Sequence, residues 1–418
     1  MSNKILVKNS SLNGKVRVSG AKNSALRLLA ASLLTNESVV LNNSPNKILD
    51  MQIHIEMLKT LGKNCIVEKD KIIINENNFK NELVWTKRSI RNTLLILGAL
   101  TTRSGFGKVP LPGGCKLGDR KYDLHVMILE KFGCKVWEED QYLLAENPKR
   151  FTACDIFLPI RSTGATENAI LCATLAKGKT TIWGPHIRPE IIDLTNFLNK
   201  MGAKIEVFGQ KNIIIHGVEH LRGVNHQVIP DNIEALTWLI SGAMTGGEID
   251  IYDFPYKDLE VPLIFLKNSG VNFKIMDKFV RVRGSTPFPI EISTGPFPGI
   301  NSDMQPLFAA YAAKAEGQSK IIDLRFHGRY GYAKELAKMG MKYSINNGML
   351  IVRGGEKLVG CEVEATDLRA GIALLISGLC ASGDTIINEA WQIFRGYDEI
   401  IEKLNSLGAQ VKTINEKI

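Results

Sequence analysis

The sequence predicts an α/β protein in which one folding unit is copied six times and the copies are shared between two domains. Three observations carry that expectation. A glycine-terminated helix signal recurs at nearly constant spacing, and an apolar helix signal fills the other half of each period. The length of 418 residues suits two domains of about 200 residues, each able to bury a sizeable core.

The recurring signal comprises MLKTLGKNCIV, ILEKFGCKVW, FLNKMGAKIEV, FLKNSGVNFKI, ELAKMGMKYSI and KLNSLGAQVKT. Each runs from a helix-like stretch through a glycine into a strand-like one. The glycines are Gly62, Gly133, Gly202, Gly270, Gly340 and Gly408, so the steps are 71, 69, 68, 70 and 68 residues. So regular a period, outside the short solenoid range, marks a duplicated unit. A glycine recurs there because the residue just past a helix adopts a left-handed conformation that a side chain disfavours.

The second signal comprises NSALRLLAASLL, RNTLLILGALTT, GATENAILCATLA, NIEALTWLISGAM, SDMQPLFAAYAAKA and DLRAGIALLISGL. These helices are apolar almost all round, which fits burial inside a domain. Short β-branched strands such as TTIWG, EIDIYDF and DTIINEA follow them. Each unit therefore reads strand, buried helix, strand, outer helix and a two-strand hairpin.

The chain ends complete the count. Repeats normally finish with a second hairpin strand and a crossing segment, as in NIIIHGVEHLRGVNHQVIPDN, but the sixth stops at AQVKTINEKI. The opening KILVKNSSLNGKVRVSGAKN matches the missing piece. The expected domains are residues 20–228 and, discontinuously, 1–19 plus 229–418. Lys22-Asn23, Asp231-Asn232 and Asp367-Leu368-Arg369 fall at equivalent helix starts.

Composition narrows the function classes. The net charge of +9 comes from dispersed Lys and Arg, with no aromatic-rich basic block, which favours a small anionic ligand over nucleic acid. No stretch approaches the ~20 apolar residues of a membrane span, and the first residues show no signal-peptide core. Seven cysteines without paired spacing point to a reducing cytoplasm. Cys172 and Cys380 fall in apolar helices, where a small inert hydrophobe is expected. The HGVEH pair, His216 and His220, lies on a strand and turn with no third metal ligand nearby.

Cys115 stands apart. It lies in KVPLPGGCKLGDRKYDLH, between a strand and a helix starting near Asp123. Pro112, Gly113, Gly114 and Gly118 make a loop, and Lys116, Arg120 and Lys121 would lower the thiol pKa, suiting it to act as acid or nucleophile. The glycines match neither GxGxxG nor GxxxxGK[ST].

GAKNSAL, LPGGCKLGDRKYDLH, STGATENAI, PDNIEA, SDMQ, ATDLRAG and FRGYDE occur in the order seen in enolpyruvyl transferases. The chain resembles that family over essentially its whole length, in the branch that acts on UDP-N-acetylglucosamine in peptidoglycan precursor synthesis and is the target of fosfomycin. The resemblance implies a two-domain inside-out α/β barrel, a ligand cleft between domains that close, and no cofactor. It implies two substrates, phosphoenolpyruvate and a uridine nucleotide.

The implied chemistry explains the residue types. Phosphoenolpyruvate carries a carboxylate and a phosphate on three carbons, so several cations must converge on it, and arginine suits both groups. By resemblance, Lys22, Arg120 and Arg395 serve the phosphate end, and Arg329 and Arg369 the carboxylate. C3 is protonated, the acceptor hydroxyl attacks C2, and phosphate leaves the ketal. The resemblance gives the acid role to Cys115 and the base role to Asp303; capping the helix that begins at SDMQ is the alternative for Asp303. Asn23 would bond the sugar and Arg91 would lie near the diphosphate or amide. Arg120, Lys121, Tyr122, Asp123 and Leu124, with Ser162, Thr163 and Gly164, would cradle the uridine.

Four places depart from the family pattern. RKYDLH replaces the usual RPVDLH, so Lys121 and Tyr122 stand for a proline and a small aliphatic residue. Asp119 occupies a position where small residues are common, Arg325 one that is usually aliphatic, and HGRY replaces ENRF around Arg329. These changes leave the phosphoenolpyruvate residues in place and keep open a paralogue that acts on another uridine nucleotide. A non-catalytic nucleotide binder would be expected to lack Cys115, Arg120, Asp303 or Arg395, and all four are present.

Overall fold

A computed structural model describes residues 3–113 and 121–415. The chain divides into a discontinuous unit, Met1–Ser19 with Pro230–Ile418, and a continuous unit, Gly20–Ile229. The discontinuous unit begins with β1 (Asn3–Val7) and β2 (Gly14–Arg17).

In the continuous unit, the first repeat holds α1 (Lys22–Ala31), β3 (Val39–Asn42), α2 (Leu49–Thr60), β4 (Lys63–Val67) and β5 (Lys71–Glu76). The second holds α3 (Thr93–Ser104), β6 (Phe106–Pro110), α4 (Asp123–Lys131), β7 (Lys135–Glu139) and β8 (Tyr142–Glu146). The third holds β9 (Asp155–Phe157), α5 (Thr163–Thr174), β10 (Lys179–Trp183), α6 (Pro189–Lys200), β11 (Lys204–Phe208) and β12 (Asn212–His216), and β13 (Val224–Gln227) closes the unit.

The discontinuous unit resumes with α7 (Asn232–Thr245), β14 (Glu248–Tyr252), α8 (Glu260–Asn268), β15 (Asn272–Ile275) and β16 (Phe279–Arg283). Its middle repeat is β17 (Glu291–Ser293), α9 (Gln305–Lys314), β18 (Gly317–Ile322), α10 (Gly331–Lys338), β19 (Lys342–Asn346) and β20 (Met349–Gly354). Its last is β21 (Glu362–Glu364), α11 (Leu368–Cys380), β22 (Thr385–Asn388), α12 (Ile400–Ser406) and β23 (Val411–Asn415).

Each unit is built around three helices, α1, α3 and α5 in one and α7, α9 and α11 in the other, that pack on one another. Their sequences explain why: in α7 every residue from Asn232 to Met244 is buried, and in α11 every residue from Leu368 to Leu379. Strands show the alternating burial of a sheet with one covered face. Cys172 of α5 is wholly buried, and burial pushes its thiol up. Cys380 differs from the expectation: at the end of α11 it is only partly buried, with its sulfur near the Met244 carbonyl oxygen at 3.4 Å.

The six glycines follow α2, α4, α6, α8, α10 and α12, all with positive φ: Gly62 and Gly408 at +88°, Gly133 at +87°, Gly202 at +102°, Gly270 at +90° and Gly340 at +106°. At Gly62 space is an added constraint, since a Cβ there would lie 1.7 Å from the carbonyl oxygen of Asn78.

Complete sheets share one order. In β9-β10-β12-β11, the strand before the buried helix pairs in parallel with the strand after it, and the hairpin joins antiparallel. The β17 sheet repeats this order. In the last repeat β1 supplies the second hairpin strand, with Ile5 opposite both Thr413 of β23 and Ile387 of β22. The β6 sheet has three strands, and its expected first strand is reduced to a bridge between Glu82 and Lys108.

The remaining two sheets exchange their first strands. β2 precedes α1 in the chain yet pairs in parallel with β14, whereas β13 precedes α7 yet pairs in parallel with β3. The chain therefore passes between units at 19–20 and at 229–230, each time between a strand and the buried helix that follows it.

Candidate active site

In the continuous unit, the first turn of α1 presents Lys22 and Asn23. The backbone enters it through Gly20, where an added Cβ would lie 1.8 Å from the Asn43 carbonyl oxygen. Helices α7 and α11 are capped by Asp231 and Asp367, whose carboxylates accept from the amides of Ile233 and Glu234 and of Arg369 and Ala370. Ala21 occupies the cap position of α1, and α1 has no acidic residue in its first turn. No acidic side chain of α1 therefore opposes the positive end of its dipole. Lys22 Nζ lies 2.8 Å from Asp50 Oδ2 of α2, with both groups buried. Asn23 is half-buried beside it.

The start of α4 is held from two sides. Arg91 Nη2 donates to the Lys121 carbonyl oxygen at 2.8 Å, and the Tyr122 hydroxyl donates to the Glu138 carboxylate. Burial and then the Glu138 charge push the Tyr122 phenol up to about 12. Asp123 is exposed at the first position of α4, and Leu124 packs half-buried against the core. His125 is buried and held neutral, its pKa lowered to about 3 by burial and then by Arg91 and Arg27.

Ser162 caps α5, its hydroxyl accepting from the Ala165 amide at 3.4 Å, and Thr163 Oγ1 meets His186 Nδ1 at 2.9 Å. Gly164 packs closely on this histidine, since an added Cβ would lie 3.1 Å from His125 Nε2. The two expected uridine-binding segments therefore meet through His125. Beneath them, Arg27 of α1 pairs with buried Glu167 of α5 at 2.8 Å.

In the discontinuous unit Asp303 stands between two guanidiniums, and Asp367 Oδ1 lies 4.0 Å from Arg329 Nη2. Asp303 Oδ1 lies 2.8 Å from Arg329 Nη1, and Oδ2 lies 3.4 Å from Arg369 Nη2. The same Arg329 nitrogen donates to Ser302 Oγ at 3.0 Å, and Ser302 donates to buried Asp323 at 2.5 Å. Asp323 also accepts from Thr294 Oγ1 and from the amides of Arg325 and Phe326, so one buried acid shapes the turn leading to Arg329. Asp303 does not cap α9, which begins at Gln305 behind Met304 with no side-chain cap.

Arg369 is almost fully buried, and its Nη1 donates to Tyr397 Oη at 3.4 Å. Burial opposes the charges of Arg329 and Arg369, but Asp303 together with Asp367 at Arg329, and with Tyr397 and Asp231 at Arg369, more than offsets it and both pKa values rise. Arg395 is buried, bonded to Gln392 Oε1 at 3.1 Å, with its guanidinium 5.9 Å from the Trp391 ring centroid. Next to it, an added Cβ at Gly396 would lie 3.7 Å from Arg369 Nη1. Arg325 is exposed over Phe326 and does not join the cluster.

These two constellations sit on a chain whose relatives are informative. A family model described as EPSP synthase (3-phosphoshikimate 1-carboxyvinyltransferase) matches residues 6–404. UDP-N-acetylglucosamine 1-carboxyvinyltransferase 1 of Carboxydothermus hydrogenoformans is 41% identical over 408 residues, covering 97% of this chain and 96% of the relative. The chain belongs to the enolpyruvyl transferase family.

The enolpyruvyl transferase of Zymomonas mobilis, a UDP-N-acetylglucosamine 1-carboxyvinyltransferase, is 37% identical, covering 96% of this chain and 97% of that one. The crystal structure of the enolpyruvyl transferase NikO from Streptomyces tendae superposes with a TM-score of 0.89 at 25% identity, each chain covered completely. EPSP synthase from Acinetobacter baumannii shares the fold at 18% identity and a TM-score of 0.76, covering 99% of this chain and all of that one. The repeated units are thus those of the inside-out α/β barrel expected from the sequence.

Of the expected site residues in this enolpyruvyl transferase, Asp303, Arg329 and Arg369 share direct contacts, and Arg395 lies one residue from the close approach of Gly396 to Arg369. Arg91 reaches the Lys121–Leu124 segment directly, and Gly164 reaches it through His125. Lys22 pairs with Asp50. Cys115, Arg120 and Asp119 lie outside the described residues. Sequence reasoning missed Asp50, Ser302, Asp367 and Tyr397. Asp50 carried no motif; Ser302, Asp367 and Tyr397 stood inside SDMQ, ATDLR and FRGYDE, one or two residues from those chosen. Among the described residues no helix is long and apolar enough to cross a membrane.

Proposed function

We propose that this enolpyruvyl transferase moves the enolpyruvyl group of phosphoenolpyruvate to the 3-hydroxyl of UDP-N-acetylglucosamine and releases phosphate, in peptidoglycan precursor synthesis. The observation that carries the reading is the Asp303–Arg329–Arg369 cluster. Two buried guanidiniums offer bidentate sites for a carboxylate, and the Asp303 carboxylate stands beside both to take a hydroxyl proton. The full-length relationship at 41% identity to a UDP-N-acetylglucosamine 1-carboxyvinyltransferase supports the same acceptor.

On this reading Lys22, Arg120 and Arg395 bind the phosphate, and the acid-free first turn of α1 adds to their field. Arg329 and Arg369 hold the carboxylate of phosphoenolpyruvate. Cys115 delivers a proton to C3, giving C2 cationic character. The sugar hydroxyl attacks C2 as Asp303 takes its proton, and loss of the C3 proton with departure of phosphate restores the double bond. Asn23 and Arg91 position the sugar and diphosphate, while Lys121, Tyr122, Asp123, Leu124, Ser162, Thr163 and Gly164 hold the uridine. The reading places the enzyme in the cytoplasm.

A second reading keeps this chemistry and changes the acceptor to another uridine nucleotide. The observation that favours it is Tyr122, a large ring bonded to Glu138 at the edge of the expected nucleotide cradle. Phosphate release from phosphoenolpyruvate, measured across a panel of uridine nucleotides, decides between them. Highest kcat/KM with UDP-N-acetylglucosamine supports the first reading; preference for another nucleotide establishes the second; no release with any overturns both.

A further inference from the structure

A buried polar chain ties the first turn of α1 to the outer face of the continuous unit. Ser24, two residues after Lys22 and completely buried, donates its hydroxyl to Asp193 of α6. The other carboxylate oxygen of Asp193 lies 2.8 Å from His226 Nε2 of β13. His226 Nδ1 lies 3.4 Å from Lys200 Nζ. His226 thus links the Asp193 carboxylate to the Lys200 ammonium through its two ring nitrogens. Phe197 stands edge-on to the imidazole, with centroids 5.4 Å apart. The ring is thus held in orientation from three sides.

Asp193, Lys200 and His226, with Asn196, Asn199 and Gln227, line an open cleft of about 560 Å³. The discontinuous unit has a counterpart in which an ion pair takes the place of the hydroxyl–carboxylate bond. Glu234, the third residue of α7 as Ser24 is of α1, binds Lys403 of α12 at 2.6 Å. In both units the first buried helix is therefore tethered through its third residue to the outer helix of the last repeat.

We propose that His226 and Asp193 are positioning residues for the transferase reaction. Acting through Ser24, they hold the first turn of α1 so that Lys22 and Asn23 meet their ligands in register. This rests on the proposed role of those two residues. Small displacements of a positioning element are costly in rate, and a carboxylate braced by two donors resists rotation more than either bond alone.

The test compares Ser24→Ala, His226→Ala and Lys22→Gln in the full chain, with kcat/KM for phosphoenolpyruvate and the thermal midpoint as readouts. His226→Ala opens a hole at the cleft that free imidazole can enter. The expected result is a loss of about tenfold in kcat/KM in Ser24→Ala and His226→Ala, equivalent to ~1.4 kcal/mol, recovered with imidazole in His226→Ala only. Ser24→Ala should cost much less when added to Lys22→Gln, because the brace acts through Lys22. If imidazole restores the thermal midpoint but not kcat/KM, or both brace variants stay within twofold of the parent while Lys22→Gln is impaired, the inference falls alone. A fully active Lys22→Gln overturns the reading of α1 and this inference together.

Discussion

The carboxylate of Asp303 lies 2.8 Å from the Arg329 guanidinium, although 26 residues separate the two in the chain. With Arg369 on its other oxygen at 3.4 Å, Asp303 joins the two arginines, and on the proposed mechanism it takes the hydroxyl proton. Asp303→Asn keeps the shape and removes the charge. On the proposed mechanism kcat should fall by about 10²–10⁴-fold, the usual contribution of a general base. Calorimetric affinity for the nucleotide should change little. Unaltered kcat would leave Asp303 as a scaffold for the arginines only.

Cys115→Ser should severely slow turnover at neutral pH, because a serine hydroxyl is far too weak an acid to replace a tuned thiol. Nucleotide binding should survive. Fosfomycin should label Cys115 and inactivate the enzyme together, as peptide mapping and activity would show; labelling of another cysteine with full activity retained would refute the assignment.

The Tyr122–Glu138 bond and the Arg91 bond to the Lys121 carbonyl give the acceptor question a structural handle. Lys121→Pro with Tyr122→Val frees Glu138 and puts a smaller surface beside the base, while proline stiffens the segment. If UDP-N-acetylglucosamine is the natural acceptor, kcat/KM for it should stay similar or fall. A tenfold gain, ~1.4 kcal/mol of transition-state binding, would establish that the site is tuned to another nucleotide.

Acid should destabilise the continuous unit through two buried histidines. His54 and His125 are both lowered to about 3, each by burial first and Arg27 or Arg91 next. In the unfolded chain they titrate near 6.5, so below that pH the unfolded state binds more protons. Stability is then lost as pH falls from about 6.5 toward 3, by up to ~1.4 kcal/mol per pH unit for each histidine. Urea unfolding at a series of pH values should show this slope, and His54→Gln should reduce it. An unchanged slope in that variant would refute the assignment.

The sequence by itself determined the repeat, the buried helices, the glycines after the outer helices and the candidate residues inside family motifs. These are written locally: helix and strand periods span a few neighbours, and a left-handed residue announces itself as glycine at a helix end. The tertiary structure alone decided that β2 pairs with β14 and β13 with β3, because strand pairing across hundreds of residues leaves no local mark. It also decided which charges meet. Lys22 finds Asp50 on the next helix, Arg369 finds Asp303 66 residues away, and Ser24 finds Asp193 169 residues away. A buried charge must be paired to be tolerated, but which partner it takes depends on the packing of helices that the sequence shows only to be apolar.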